Sequence, residues 1–260
     1  MTQPSWVTTG AGRRLAHHRL TGDGPGIVFL GGFKSDMDGT KALWLEDRAR
    51  AQGRAFLRFD YSGHGHSSGA FTDGCIGDWA ADARAVVEAL TEGPQILVGS
   101  SMGGWISLLL AREMPQRVAG LVTIAAAPDF TEDSMWAGFN AAQRAALRDE
   151  GQVALPSDYG EPYVITRRLI EEGRENLVLR SPLDLPFPVR FLQGTADEDV
   201  DKSVALSLLD HSTGPDMRLT LVDGADHRFS DPPCLALIGS TLEEVITRAC
   251  QAFPATGSPA

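Results

Sequence analysis

Apolar and polar positions follow two rhythms along this chain, and the rhythms take turns. IVFLGG (27–32) is a short apolar run of strand length that ends in glycines. DGTKALWLEDRARAQG (38–53) has helical spacing through Leu43, Leu45 and Ala49, and Gly53 is placed to end it. RAFLRFD (54–60) reads as a strand, DWAADARAVVEALTEG (78–93) as a helix and QILVGS (95–100) as a strand. Residues 102–114 predict a helix that stops before Pro115, and RVAGLVTIAAA (117–127) is again strand-like. Strands alternating with helices predict right-handed βαβ units, hence an α/β fold whose mostly parallel central sheet is flanked by helices.

The alternation breaks between 128 and 186. SMWAGFNAAQRAALRDE and YVITRRLIEEGREN carry helical patterns there, and no strand is predicted. The rhythm resumes with PVRFLQG (188–194), a helix through VALSLLDH, MRLTLVD (217–223) and a closing helix in LALIGSTLEEVITRACQAF, before a loose ATGSPA tail. The pattern predicts one domain over 1–260 with 128–186 as a helical cap insertion. Such a cap is suited to cover the carboxyl edge of the sheet, where open α/β sheets bind ligands.

Composition narrows the function classes. The 260 residues are 43% hydrophobic and 22% charged, ordinary for a globular core. A net charge of −11 argues against non-specific binding to nucleic acid or anionic lipid. No apolar run approaches the about 20 residues of a membrane helix. The first residues lack the apolar core of a secretion signal. They carry arginines and no acids, as transit peptides do, but reach a strand by Ile27 and so read as part of the domain. Cys75, Cys234 and Cys250 form no CxxC pair and no zinc spacing. A sparse, odd set of thiols predicts a reducing compartment, and the expected location is cytoplasmic.

The chemistry begins at ILVGSSMGGW (96–105). G-x-S-x-G fits Gly99, Ser101 and Gly103, whereas centring on Ser100 would put Val98 and Met102 at the flanking positions. At a sharp strand-to-helix turn the central residue is strained, and side chains two positions away would collide. The turn would present the Ser101 hydroxyl as a nucleophile and aim the Met102 N–H at a developing oxyanion. A serine needs a base, and on such a turn the expected chain order is serine, acid, histidine. Of the six histidines, His211 and His227 follow a candidate acid downstream of Ser101. His227 lies in a loop just after a predicted strand, and His211 ends the polar side of a helix, so His227 is the expected base. QGTADEDVD offers several acids. Asp197 suits the turn after the strand at 188–194, with Asp199 as the alternative. The second oxyanion donor is expected from LGGFKSDMDG as the Phe33 N–H. His64 and His66, in FDYSGHGHSSG (59–69), lack a third ligand nearby and are expected to be solvated in a tight structural loop. No metal or other cofactor is expected.

With these pieces placed, the chain resembles the serine α/β-hydrolases along nearly its whole length. GGFKSDMDGTKALWLE, RFDYSGHGHSSG, GSSMGGW, PYVITRRLIEEGRENL, PVRFLQGTADEDV and ADHRFS together resemble the group that contains a mitochondrial palmitoyl-protein thioesterase active on acyl-glucuronides. Gly31 stands where many α/β-hydrolases carry a histidine. The resemblance implies an α/β-hydrolase fold, a triad on Ser101, Asp197 and His227, and hydrolysis of esters or thioesters of small molecules or acyl-proteins without a cofactor. A C–C bond hydrolase with the same triad is the alternative within enzymes, and a non-catalytic binding protein the alternative outside them. In the cap, Trp136 and Phe139 stand three apart, on one helical face, and are expected to touch the acyl group.

Overall fold

The computed structural model describes residues 3–156 and 162–252. The ATGSPA tail and part of the predicted insertion, residues 157–161, lie outside them. Two strands that the periodicity did not predict come first, β1 (Ser5–Thr8) and β2 (Arg14–Leu20). The stretch read as part of the domain is thus built into its sheet. β3 (Asp23–Leu30), α1 (Thr40–Ala51), β4 (Arg54–Phe59), α2 (Ile76–Leu90), β5 (Gln95–Ser100), α3 (Met102–Glu113) and β6 (Val118–Ile124) then alternate as expected.

Between β6 and the next strand of the main sheet lie a π-helical turn (Thr131–Trp136), α4 (Ala141–Asp149), β7 (Gln152–Leu155), β8 (Tyr163–Thr166), α5 (Arg167–Gly173) and β9 (Leu183–Asp184). β10 (Val189–Gly194), α6 (Lys202–His211), β11 (Ser212–Thr213), β12 (Met217–Val222) and α7 (Pro232–Ala252) complete the chain.

The main sheet has 8 strands in the order β1-β2-β4-β3-β5-β6-β10-β12. From β4 to β12 every pairing is parallel, while β1 and β2 join antiparallel at one edge. Alternate residues of β3 and β5 go to opposite faces. Val28, Leu30 and Leu97 pack with α2 and α3 through Trp79, Val86, Trp105 and Leu108. Ile27, Phe29, Ile96 and Val98 pack with α1 and α7 through Leu45, Ile238, Leu242 and Val245. Each such side chain contributes about 1.5–3 kcal/mol when fully buried. That two-sided burial is why the parallel strands read as continuous apolar runs.

The segment 128–186 differs from its expected all-helical form. β7 and β8 form an antiparallel pair there, running from Gln152↔Thr166 to Leu155↔Tyr163. YVIT, read as the start of a helix, is strand because β-branched Val164, Ile165 and Thr166 favour extended backbone. Thr166 then caps α5, its hydroxyl accepting the Leu169 N–H at 3.1 Å. Asn140 interrupts the other helical stretch: its side chain accepts the Gln143 N–H at 2.9 Å, and Gln143 returns the bond to the Asn140 N–H.

Candidate active site

Ser101 sits between β5 and α3 with φ 54° and ψ −119°, a conformation that costs a non-glycine residue about 1–3 kcal/mol. The surroundings hold it there. Its N–H donates to the Ile124 carbonyl at 2.9 Å, and its carbonyl accepts from Gly104 at 2.9 Å and Ala127 at 3.1 Å. The two glycines of the motif have separate reasons. A Cβ at Gly99 would lie 2.4 Å from the Gly103 carbonyl oxygen, and one at Gly103 would lie 2.1 Å from the Leu30 carbonyl oxygen of β3. The turn therefore closes, and α3 packs on β3, only without those side chains.

His227, in the loop between β12 and α7, reaches Ser101. Its Nε2 lies 3.0 Å from Ser101 Oγ, and its Nδ1 lies 3.0 and 2.9 Å from the two oxygens of Asp197. A carboxylate accepts only, so Nδ1 carries the proton and Nε2 is left to accept from the serine hydroxyl. Asp197 has a fully buried side chain. Its Oδ1 also accepts the N–H groups of Asp199 at 3.0 Å and Val200 at 2.8 Å, and its Oδ2 accepts Gln193 Nε2 at 2.9 Å. Burial acts to raise the Asp197 pKa, but the bonds from His227, Val200 and Gln193 outweigh it and hold the carboxyl below its usual range. Asp199, the alternative acid, thus serves Asp197 through its backbone. The role of Gln193, buried in β10, was not foreseen.

Lys41, near the start of α1, was not foreseen either. Its ammonium donates to the Arg228 carbonyl, next to His227, and lies 3.5 Å from Ser230 Oγ. Burial pushes its amine down to about 8, against the raising effect of Asp226. It ties α1 to the loop that carries His227.

Phe33 lines the same cavity as Ser101, and Met102 follows Ser101 in the chain. Met102 opens α3, where N–H groups lack intrahelical acceptors and the helix dipole is positive. A Cβ at Gly32 would lie 3.4 Å from Ser101 Cβ, so the backbone next to Phe33 passes close to the serine. The Phe33 N–H donates to no protein acceptor among the described residues. The Phe33 ring meets Phe71, Phe130 and Tyr163 edge-on at 4.9, 5.4 and 5.8 Å, and such ring pairs are worth about 0.5–1.5 kcal/mol each.

A cavity of about 780 Å³ opens over Ser101 and His227, and Phe130, Met135 and Tyr163 of the 128–186 segment line it. Trp136 and Phe139 do not line it, a correction to the expected acyl contact. The π-helical turn at Thr131–Trp136 changes the angular spacing, so Met135 faces the cavity instead. Trp136 lies under the guanidinium groups of Arg144 and Arg174, at 5.0 and 4.8 Å, and Phe139 is buried in the core.

The expectation of two solvated histidines also needs correction at His64. His66 is exposed, whereas His64 is 4% exposed beneath Tyr61, Phe71 and Trp79. Among the described residues, Asp197, Asp199 and His227 bring donor atoms within 4.8 Å of one another. The lone pairs a metal would need there are already engaged by the hydrogen bonds of Asp197 and His227.

Residues 27–195 match the alpha/beta hydrolase fold family. A palmitoyl-protein thioesterase of Rattus norvegicus (ABHD10, mitochondrial) is 36% identical over 236 residues, covering 90% of this chain and 79% of the relative. A crystal structure of a chain from Agrobacterium vitis S4 superposes with a TM-score of 0.89 at 41% identity, covering 95% of this chain and 98% of that one. The alpha/beta hydrolase domain-containing protein 10 from mouse superposes with a TM-score of 0.87 at 34% identity, covering 95% and 99%. These relatives overturn the cytoplasmic expectation, because the mammalian thioesterases of this name are all named mitochondrial. The sparse thiols that suggested the cytoplasm report a reducing environment, which more than one compartment provides.

Proposed function

This chain belongs to the α/β-hydrolase family, and from that membership we propose that it is a serine hydrolase cleaving esters or thioesters through an acyl-enzyme. The observation that carries the proposal is the continuous hydrogen-bonded line from Ser101 Oγ through His227 to Asp197. Ser101 attacks the acyl carbon as His227 Nε2 takes its proton. Asp197 holds the imidazole in the Nδ1–H tautomer and stabilises the cation that forms. The oxyanion rests on the N–H groups of Phe33 and Met102. His227 returns the proton to the leaving group, then activates the water that hydrolyses the acyl-enzyme.

The segment 128–186 acts as a cap that supplies the apolar roof. The substrate class follows from that roof and from the named activity of the relatives, palmitoyl-protein thioesterases. Phe130, Met135 and Tyr163 suit an acyl chain, and the cavity is within the range of sites for small molecules. A panel of p-nitrophenyl esters and acyl thioesters of graded chain length, with a fluorophosphonate probe to trap Ser101, tests the proposal. Turnover together with labelling of wild type and not of Ser101→Ala is expected. Turnover that survives loss of Ser101 would refute the serine mechanism.

A further inference from the structure

The stretch FDYSGHGHSSG takes no part in the chemistry above, yet it grips the loop that carries Phe33. Asp60 accepts the Met37 N–H at 2.7 Å, and the Tyr61 hydroxyl donates to the Gly31 carbonyl at 3.4 Å. Arg58, just before the stretch, donates to the Met37 carbonyl at 3.0 Å. His64 Nε2 accepts the Lys34 N–H at 3.2 Å. This last bond is made to the residue that follows Phe33. The peptide plane between Phe33 and Lys34 is joined at one Cα to the plane that carries the Phe33 N–H. That second plane is fixed from its other side, where the Gly32 carbonyl accepts from Ser35 N at 3.2 Å and Ser35 Oγ at 2.8 Å. Lys34 has φ 58°, an unfavourable conformation for a lysine, so an external partner is needed to hold it.

His64 is built for that task. Its Nδ1–H donates to the Ser62 carbonyl at 3.1 Å, which leaves the Nε2 lone pair facing Lys34. An imidazolium has no such lone pair. Burial pushes the His64 pKa down and favours the neutral ring, although the Ser62 carbonyl and the charge of Asp82 pull the other way. The ring is locked edge-on against Tyr61 at 5.6 Å, Phe71 at 5.3 Å and Trp79 at 5.1 Å. A loose structural histidine would need neither the tautomer nor the lock.

We propose that His64 is a positioning residue for oxyanion stabilisation: by accepting the Lys34 N–H it fixes the backbone that aims the Phe33 N–H at the reacting carbonyl oxygen. The proposal rests on the serine-hydrolase reading above and assigns to that site a residue that does not touch substrate. The neutral acceptor is the essential property, so His64→Phe removes it while keeping an aromatic ring, and His64→Gln keeps an amide acceptor.

For an ester substrate, H64F should lower kcat about 10- to 100-fold and leave KM within about twofold, because a misaimed Phe33 N–H weakens binding of the transition state and not of the substrate. A trifluoromethyl ketone, whose adduct with serine places an oxyanion in the same site, should lose affinity by the same factor as kcat/KM. Inhibition by the carboxylate product should not change. H64Q should recover most of kcat. An unchanged kcat in H64F, an effect confined to KM, or equal losses in H64F and H64Q would overturn the proposal. Nitrogen-15 NMR of the wild-type protein gives an answer even if H64F does not fold. A protonated Nδ1 and a bare Nε2 at His64 are expected at neutral pH, and the opposite tautomer or the cation would overturn it. Ser101→Ala separates the two levels. Turnover in that variant removes the serine-hydrolase reading, whereas an inactive S101A beside a fully active H64F removes only the role of His64.

Discussion

The loops after β3, β5, β10 and β12 and the segment 128–186 line one cavity, but they are held by different means. The loops are fixed by dense hydrogen bonding around the reacting groups. Ser101 is bonded on both sides through Ile124, Gly104 and Ala127, and Asp197 gathers two N–H groups beside Gln193 and His227. The segment is held by separate side-chain ties, within itself through Asp129 and to α2 and α3 through Glu172 and Asn176. Asp129 accepts the Val178 and Leu179 N–H groups at 2.8 and 2.9 Å, Glu172 accepts the Gly77 N–H at 2.9 Å, and Trp105 Nε1 donates to the Asn176 carbonyl at 3.0 Å. Phe130 and Tyr163 add ring contacts with Phe33. Tolerance to substitution should differ accordingly. Reacting atoms lose rate steeply when misplaced by an ångström, whereas an apolar wall can be rebuilt from many side chains of suitable volume. Changes in the loops should therefore act on kcat for every substrate, and changes in the segment on the choice among substrates.

The largest effect should follow Ser101→Ala, a loss of about 10⁴- to 10⁶-fold in kcat for every ester. Ser100→Ala should keep most activity, because Gly99 and Gly103 select Ser101. Hydrolysis of a p-nitrophenyl ester measures both, and equal losses would show the strand-to-helix turn to be centred wrongly.

Asp197→Asn should come next, at about 10³- to 10⁴-fold, again independent of the acyl chain. The pH dependence sharpens this point. The Asp197 carboxyl is held below its usual range, so its contribution to stability is complete above the unfolded carboxyl value of about 4. That contribution is lost only as pH falls through the depressed value. On acidification kcat/KM should fall, because a protonated imidazole is no base, while the Asp197 carboxylate continues to support the fold until pH reaches its depressed range. A kcat/KM profile recorded beside thermal melts checks this, and a rate independent of pH would count against a histidine base.

On the side of the segment, Asp129→Ala should cost about 2–4 kcal/mol, since two N–H groups that its carboxylate now serves would lose their partner. Urea denaturation measures the loss. Activity should change with the internal order of the segment and not through the line from Ser101 to Asp197, so fluorophosphonate labelling of the folded fraction should persist.

The smallest effect separates the two regions most cleanly. Each methylene buried against Phe130, Met135 and Tyr163 is worth roughly 0.8 kcal/mol, about a fourfold gain in kcat/KM along an acyl series. Phe130→Ala and Met135→Ala should flatten that rise more than they lower the rate with acetyl esters. Trp136→Ala should leave it intact, because Trp136 lies under Arg144 and Arg174 and outside the cavity wall. A flattened series in Trp136→Ala alone would relocate the acyl site.

Features that depend on neighbours along the chain were legible in the residues themselves. The alternation of apolar runs and helical faces set out the order of β3 to β6 and of β10 to α7, since burial on both faces of a parallel sheet writes itself into each strand. The spacing Gly99, Ser101, Gly103 specified a turn that few other residues could form. Chain order and loop position singled out Ser101, Asp197 and His227, three groups that the fold brings into hydrogen-bond contact. Other features came from partners distant in sequence, and folding alone settled them. β2, RLAHHRL, is strand because it pairs with β4, not because its pattern demands it. Trp136 stays out of the cavity wall because a π-helical turn shifts the register and Arg144 and the more distant Arg174 cover its ring. His64 lies among glycines and serines, which in sequence signify a solvated loop. Phe71 and Trp79, brought over it by the chain beyond that loop, bury its ring and leave its lone pair directed at Lys34.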